Sequence, residues 1–139
     1  MVKFTLRVYY IILSDRQKKM ASIYTEIWFM LIQWEHHQSI TILSFESEDI
    51  RDSEPLRAMI TKFLEEGRRD FLIDLENVVY LSSSVLGLLI TLFKDLKLKG
   101  GRLELVNAQP SISNLFEITR LDKILEIYND KVTALISFE

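Results

Sequence analysis

Phe71-Leu72-Ile73-Asp74-Leu75-Glu76-Asn77-Val78-Val79-Tyr80-Leu81-Ser82-Ser83-Ser84-Val85-Leu86-Gly87 sets an apolar run ahead of three consecutive hydroxyls. Phe71 to Leu75 is short and nearly continuous in apolar character, the mark of a strand buried on both faces. The hydroxyls stand where the next helix begins. Serine is a preferred helix N-cap, because its oxygen accepts the orphan N–H groups of the first turn. The same N–H groups and the positive end of the helix dipole suit a phosphate. Two readings follow: a serine that only caps, or a modifiable serine whose added charge changes what the surface binds.

Downstream, apolar residues cover most sides of a helix from about Ser83 to Lys99 (Val85, Leu86, Leu88, Leu89, Ile90, Leu92, Phe93, Leu96), and Gly100-Gly101 closes it. Arg102-Leu103-Glu104-Leu105-Val106 alternates as a strand does. Pro110 opens a third helix with Ile112, Leu115, Phe116 and Ile118 facing inward. Leu125 to Tyr128 reads as a short strand and Lys131 to Phe138 as a terminal helix.

Upstream, Met30 to Glu35 and Ser39 to Phe45 read as a hairpin, with His36-His37-Gln38 as its tight connection. Neighbouring histidines on a strand would point to opposite faces, and no third ligand accompanies them, so a polar turn is expected and no metal site. Glu46 to Asp52 is acidic. Ser53 as N-cap and Pro55 in the first turn begin a helix carrying Leu56, Met59, Ile60, Phe63 and Leu64, which ends at Glu65-Glu66-Gly67. An opening hairpin followed by alternating helices and strands predicts an α/β domain. It has a mixed sheet of about four to five strands, with helices packed largely on one side.

Composition narrows the function. At 139 residues the chain suits one domain, and its 48% hydrophobic and 27% charged fractions are those of a soluble globular protein. A net charge of -3 argues against nucleic acid as the main partner. Without cysteine there is no disulfide, thiolate metal site or cysteine nucleophile. Among only 4 glycines there is no nucleotide phosphate loop, and neither HExxH nor G-x-S-x-G occurs. No cofactor and no enzymatic activity are expected. The best candidate for a membrane span, Val8 to Leu13, falls far short of the roughly 20 residues one needs. A cytoplasmic protein without direct membrane insertion is expected.

Residues 1–29 differ in style from the rest. Met1 to Leu13 looks like a strand, Ser14 to Lys19 is polar, and Ile23 to Trp34 is dense in bulky residues. Met20 and Met30 lie in frame ahead of the regular region. Either one of them is the natural start, or the extension is genuine and Tyr24, Trp28 and Phe29 cover part of the domain or a partner.

From about Gln33 onward the chain resembles a STAS domain, the module of bacterial anti-sigma factor antagonists. Ile73-Asp-Leu-Glu-Asn-Val78 resembles the family's DL-x-x-V strand, and Tyr80-Leu-Ser-Ser-Ser-Val-Leu-Gly87 its DSSGLG-type loop. Leu96-Lys-Leu-Lys-Gly-Gly-Arg-Leu-Glu-Leu-Val-Asn107 resembles its GG-x-L-x-L-V turn and strand. Pro110 through Leu115-Phe-Glu-Ile-Thr-Arg-Leu-Asp-Lys-Ile124 resembles its L-x-x-T-G-L-D helix. Ser82, Val85 and Arg120 stand where the family has aspartate, glycine and glycine; Asp49 aligns with its early aspartate.

The resemblance implies a STAS domain over residues 30–139 that works by partner switching. Ser83 would be the phosphorylated serine, with Ser82 and Ser84 as alternatives. Ser82, Ser83, Ser84, Val85 and Asp49 would form the partner-binding surface. Its partners would be an anti-sigma factor, which in some cases is itself a serine kinase, and a phosphatase that resets the cycle; the protein would be a monomer or weak dimer. The alternative is a STAS scaffold that does not switch, in a lipid-transport ABC system or a stressosome-like assembly.

Overall fold

The computed structural model of this chain describes residues 32–139. The expectations placed on residues 1–29, and on the start of a strand at Met30, lie outside them. Five strands form the main sheet: β1 (Ile32–His37), β2 (Ile40–Phe45), β4 (Asp70–Asp74), β6 (Arg102–Val106) and β7 (Glu126–Tyr128), in the order β1-β2-β4-β6-β7. Two further strands, β3 (Asp49–Ile50) and β5 (Tyr80–Leu81), pair with each other. Helices α1 (Glu54–Glu65), α2 (Ser83–Leu98), α3 (Pro110–Ile118) and α4 (Lys131–Ser137) complete the described chain.

β1 and β2 are antiparallel, and every later pairing in the main sheet is parallel. One long helix fills each crossover between parallel neighbours, and the strand order advances without reversing. Right-handed crossovers therefore stack α1, α2 and α3 on one face. Phe63 of α1, Phe71 of β4 and Phe116 of α3 are fully buried in that core, with Leu43, Ile73 and Leu105 from the sheet. Each such side chain contributes roughly 1.5–3 kcal/mol through its removal from water. On the opposite face α4 lays Ala134 over Ile40, Ile42, Leu72 and Val106. Its first residue, Lys131, lies 3.5 Å from the buried carboxylate of Asp74. The mixed sheet with helices largely on one side is as expected, and α4 is the exception that covers the other side.

The histidines do not form the turn. β1 runs through His37, which pairs with Ile40, so the connection is Gln38-Ser39, with Gln38 in the left-handed region at φ 56°. His36 instead lays its ring against Trp34 and Phe63, at centroid distances of 4.8 and 5.3 Å. Its Nδ1 lies 3.1 Å from the Thr41 hydroxyl, which also accepts a 2.9 Å hydrogen bond from Arg68 Nε. Sequence patterning missed this because histidine is polar by composition and aromatic in packing.

Burial, then the charges of Arg68 and Lys62, holds His36 below the ordinary imidazole value, against an opposing pull from Glu66. The folded protein therefore takes up this proton less readily than the unfolded chain. That contribution to stability is complete above about pH 6.5 and is lost as pH falls from there through the folded pKa. Thermal melts at pH 7 and pH 5 should show a smaller acid-induced drop for His36→Gln than for the unmodified protein. Equal drops would remove His36 from the account.

Arg120 ends α3 in the left-handed conformation, at φ 62° and ψ 18°. An L-residue there carries a steric cost that glycine avoids. Arg120→Gly should raise stability by about 1 kcal/mol, measured by denaturant unfolding. A destabilisation would mean that the arginine side chain holds this corner together.

Candidate functional site

The three serines at the start of α2 have three different jobs. Ser82 is the N-cap: its backbone is extended (φ −72°, ψ 163°), and its oxygen accepts a 3.2 Å hydrogen bond from Val85 N–H. The same hydroxyl donates to Arg51 O at 2.7 Å. Ser84 donates to Ser53 Oγ at 3.0 Å. Ser83, the first helical residue, is exposed and makes no hydrogen bond from its hydroxyl among the described residues. The cap falls on Ser82, and the exposed hydroxyl without a hydrogen bond among the described residues falls on its neighbour Ser83.

The serine loop is braced from across the chain by the β3–β5 pair. Asp49 lies opposite Tyr80 and Ile50 opposite Leu81, and Ser82 N–H extends the ladder to Ile50 O at 3.0 Å. Two-residue strands carry no readable period, so the sequence does not show this brace. Ile50 and Leu81 turn into the core, leaving Asp49 and Tyr80 outward. Asp49 thus sits beside the serine loop, held by an ion pair with Arg51 at 2.9 Å. Arg51 in turn stacks on the Tyr80 ring, 4.8 Å from its centroid. Neither Arg51 nor Tyr80 was singled out by sequence, because their meeting depends on the β3–β5 register.

Two expectations need correction. Val85 does not belong to a partner-binding surface: it is 1% exposed. With Leu88, Leu89, Leu92 and Leu96 it forms the buried stripe of α2, since the helical turn rotates the third residue after the cap inward. Ser53 marks the start of α1, but its side chain makes no cap. Asp52 caps instead, its Oδ1 accepting from Glu54 N–H at 3.0 Å, which leaves the Ser53 hydroxyl to meet Ser84.

The exposed face of α2 next to Ser83 is low and open. Gly87 lies one turn on, on the same face, and a Cβ added there would meet nothing within 4 Å. Beside the β3–α1 corner a cleft of about 240 Å³ opens, walled by Ile32, Phe45, Ile50, Pro55 and Leu56. Among the described residues no three histidine or acidic side chains converge as a metal site, and no helix is long and apolar enough to cross a membrane.

Residues 32–134 match the STAS domain family. The chain belongs to that family. The match runs from the first residue of β1 into α4, so this STAS domain includes both sheets and the serine loop. Among its relatives, the anti-sigma F factor antagonist of Paenibacillus polymyxa is 27% identical over 110 residues, covering 78% of this chain and 94% of the relative. The anti-sigma-B factor antagonist of Staphylococcus aureus is 32% identical over 79 residues, 57% of this chain and 73% of the relative. The crystal structure of an anti-sigma factor antagonist from Mycobacterium paratuberculosis superposes with a TM-score of 0.67 at 25% identity, covering 76% of this chain and 91% of that one.

Proposed function

We propose that this STAS domain is an anti-sigma factor antagonist, that its docking surface is centred on Ser83, and that phosphorylation of Ser83 turns docking off. The observation that carries the reading is the division of labour among the serines. Ser82 and Ser84 are engaged with the β3–α1 loop, whereas Ser83, exposed and at a helix start, makes no hydrogen bond from its hydroxyl among the described residues. The names of its relatives support the antagonist role. Gly87 supports the location, since glycine inside a helix costs roughly 0.5–1 kcal/mol against alanine and neither a positive φ nor a close contact among the described residues requires it. An open surface for a partner accounts for its presence.

The docking surface comprises Ser83, Gly87, Tyr80 and the Asp49–Arg51 pair, with Ser82 and Ser84 setting the loop. A partner that buries this surface must desolvate whatever Ser83 carries. A neutral hydroxyl is cheap to cover; a phosphate of charge -1.5 to -2 is not, unless it is paired. The reaction would be supplied by a serine kinase, the anti-sigma factor itself where it has that activity. Ser83 Oγ takes the terminal phosphoryl group of ATP, its proton leaves to a base of the kinase, and ADP departs. A phosphatase would restore the hydroxyl by hydrolysis. On this reading the protein works in the cytoplasm, as a monomer or weak dimer, over the unit spanning residues 30–139.

Incubation with the partner kinase and ATP tests the site. One phosphate should be added, mapped by mass spectrometry to Ser83, and Ser83→Ala should take up none. Phosphate on Ser82 or Ser84 of the unmodified protein would contradict the assignment. So would a Ser83→Ala protein phosphorylated at the ordinary rate.

A further inference from the structure

The segment that braces the serine loop is unusually acidic. Glu46, Glu48, Asp49, Asp52 and Glu54 are accompanied by two cations only, Arg51 and Arg57, as far as the first turn of α1. A phosphate placed beside such a segment meets like charge, and the position of these two arginines bears on what it costs. Arg57 is committed on its own helix to Glu54, at 3.3 Å. Arg51 is placed differently. One residue beyond the β3–β5 pairs, it comes beside Ser82, the neighbour of Ser83, and the Ser82 hydroxyl donates a 2.7 Å hydrogen bond to Arg51 O. Its side chain already crosses the gap of about 4.8 Å between neighbouring strands, because its guanidinium lies over the Tyr80 ring of β5. It is 72% exposed and held by one weak surface ion pair, to Asp49.

We infer that Arg51 receives the phosphate of phosphorylated Ser83, exchanging Asp49 for it while keeping its stack on Tyr80. The inference rests on the reading that Ser83 is the modified residue. The exchange is favourable because a phosphate offers more charge and three acceptor oxygens against one carboxylate, and guanidinium matches that geometry in bidentate fashion. Its consequence reaches beyond Ser83. Arg51 moves onto the phosphate and Asp49 loses its counter-ion, so the carboxylate stands bare at the edge of the docking surface. One modification thus alters charge at two places, and a partner that had met a neutral hydroxyl and a paired carboxylate meets a paired phosphate and an unpaired carboxylate.

The test uses the protein with phosphoserine encoded at position 83, so that no kinase is needed, and follows the phosphorus resonance through a pH titration. Arg51→Gln should raise the second pKa of the phosphate by about half a unit or more, through loss of an adjacent positive charge. Arg57→Gln should leave it where it is. Asp49→Asn should lower it by freeing Arg51, and that effect should shrink when Arg51 is already Gln, a coupling that independent sites do not show. An unshifted phosphate in Arg51→Gln overturns the inference. A shift produced by Arg57→Gln in its place does the same, as do Asp49 and Arg51 effects that simply add. The docking reading fails by a separate result, namely unmodified and phosphorylated protein binding the anti-sigma factor equally well.

Discussion

Ser83→Asp should fold as the unmodified protein does and bind the anti-sigma factor at least tenfold more weakly, a loss of about 1.4 kcal/mol. The fold tolerates the change because Ser83 is exposed and its hydroxyl holds nothing in place among the described residues. A carboxylate at the start of α2 is favoured by the helix dipole by roughly 0.3–1 kcal/mol, and repulsion from the acidic β3–α1 segment opposes that gain. An unchanged melting temperature is the expected sum. Binding suffers because the partner must cover a charge of about one unit that it would not meet on serine. The variant remains a partial mimic, since phosphoserine carries more charge and three acceptor oxygens. Isothermal titration against the anti-sigma factor, with a melt of the free variant beside it, separates lost affinity from lost fold. A well-folded variant that binds normally would remove the serine loop from the docking surface.

Gly101→Ala should lower stability by about 3 kcal/mol or more, at or beyond the upper end of overpacking effects. A Cβ there would lie 2.1 Å from Arg69 O, a backbone atom that cannot swing aside. That oxygen also accepts the 3.1 Å hydrogen bond from Arg102 N–H, which aligns β6 with β4, so relief of the clash pulls two central strands apart. Gly100→Ala is the informative companion. Gly100 has φ +79° with open space around its Cβ position, so alanine there meets only backbone strain of about 1 kcal/mol. Urea unfolding of both variants tests the distinction; equal losses would show that close approach is not what position 101 requires.

That glycine pair shows why so much of the fold could be read in advance. Gly100-Gly101 is punctuation that geometry demands, one glycine for a left-handed turn and the next for contact with the neighbouring strand's backbone. Pro55 and Pro110 likewise fall at helix starts, where a missing N–H costs nothing. The apolar run Phe71 to Leu75 reads as buried because both faces of β4 are covered: Phe71 and Ile73 pack under α1, α2 and α3, and Leu72 under α4. These signals are local, and local signals survive in a sequence.

The site was legible only in outline. Ser83 could be placed at a helix start, but its separation from Ser82 and Ser84 depends on hydrogen bonds to residues 31 positions away. Val85 looked like part of the loop because it stands in the loop's motif, yet the helical turn sends it into the core. Arg51 and Tyr80 meet through a two-residue strand pairing, too short to leave any pattern. For the serines and for Arg51 and Tyr80 the deciding fact is a contact between distant segments, which spacing along the chain does not encode; for Val85 it is the helical turn itself.

The central claim is that charge on Ser83 governs docking. Its most direct test is the affinity of the anti-sigma factor for two preparations of this protein, one unmodified and one carrying phosphoserine at position 83 throughout. The unmodified protein should bind, and the phosphorylated protein should bind at least tenfold more weakly than that, with the same melting behaviour when free, about 1.4 kcal/mol or more of lost binding energy. Equal affinities for the two preparations would contradict the account.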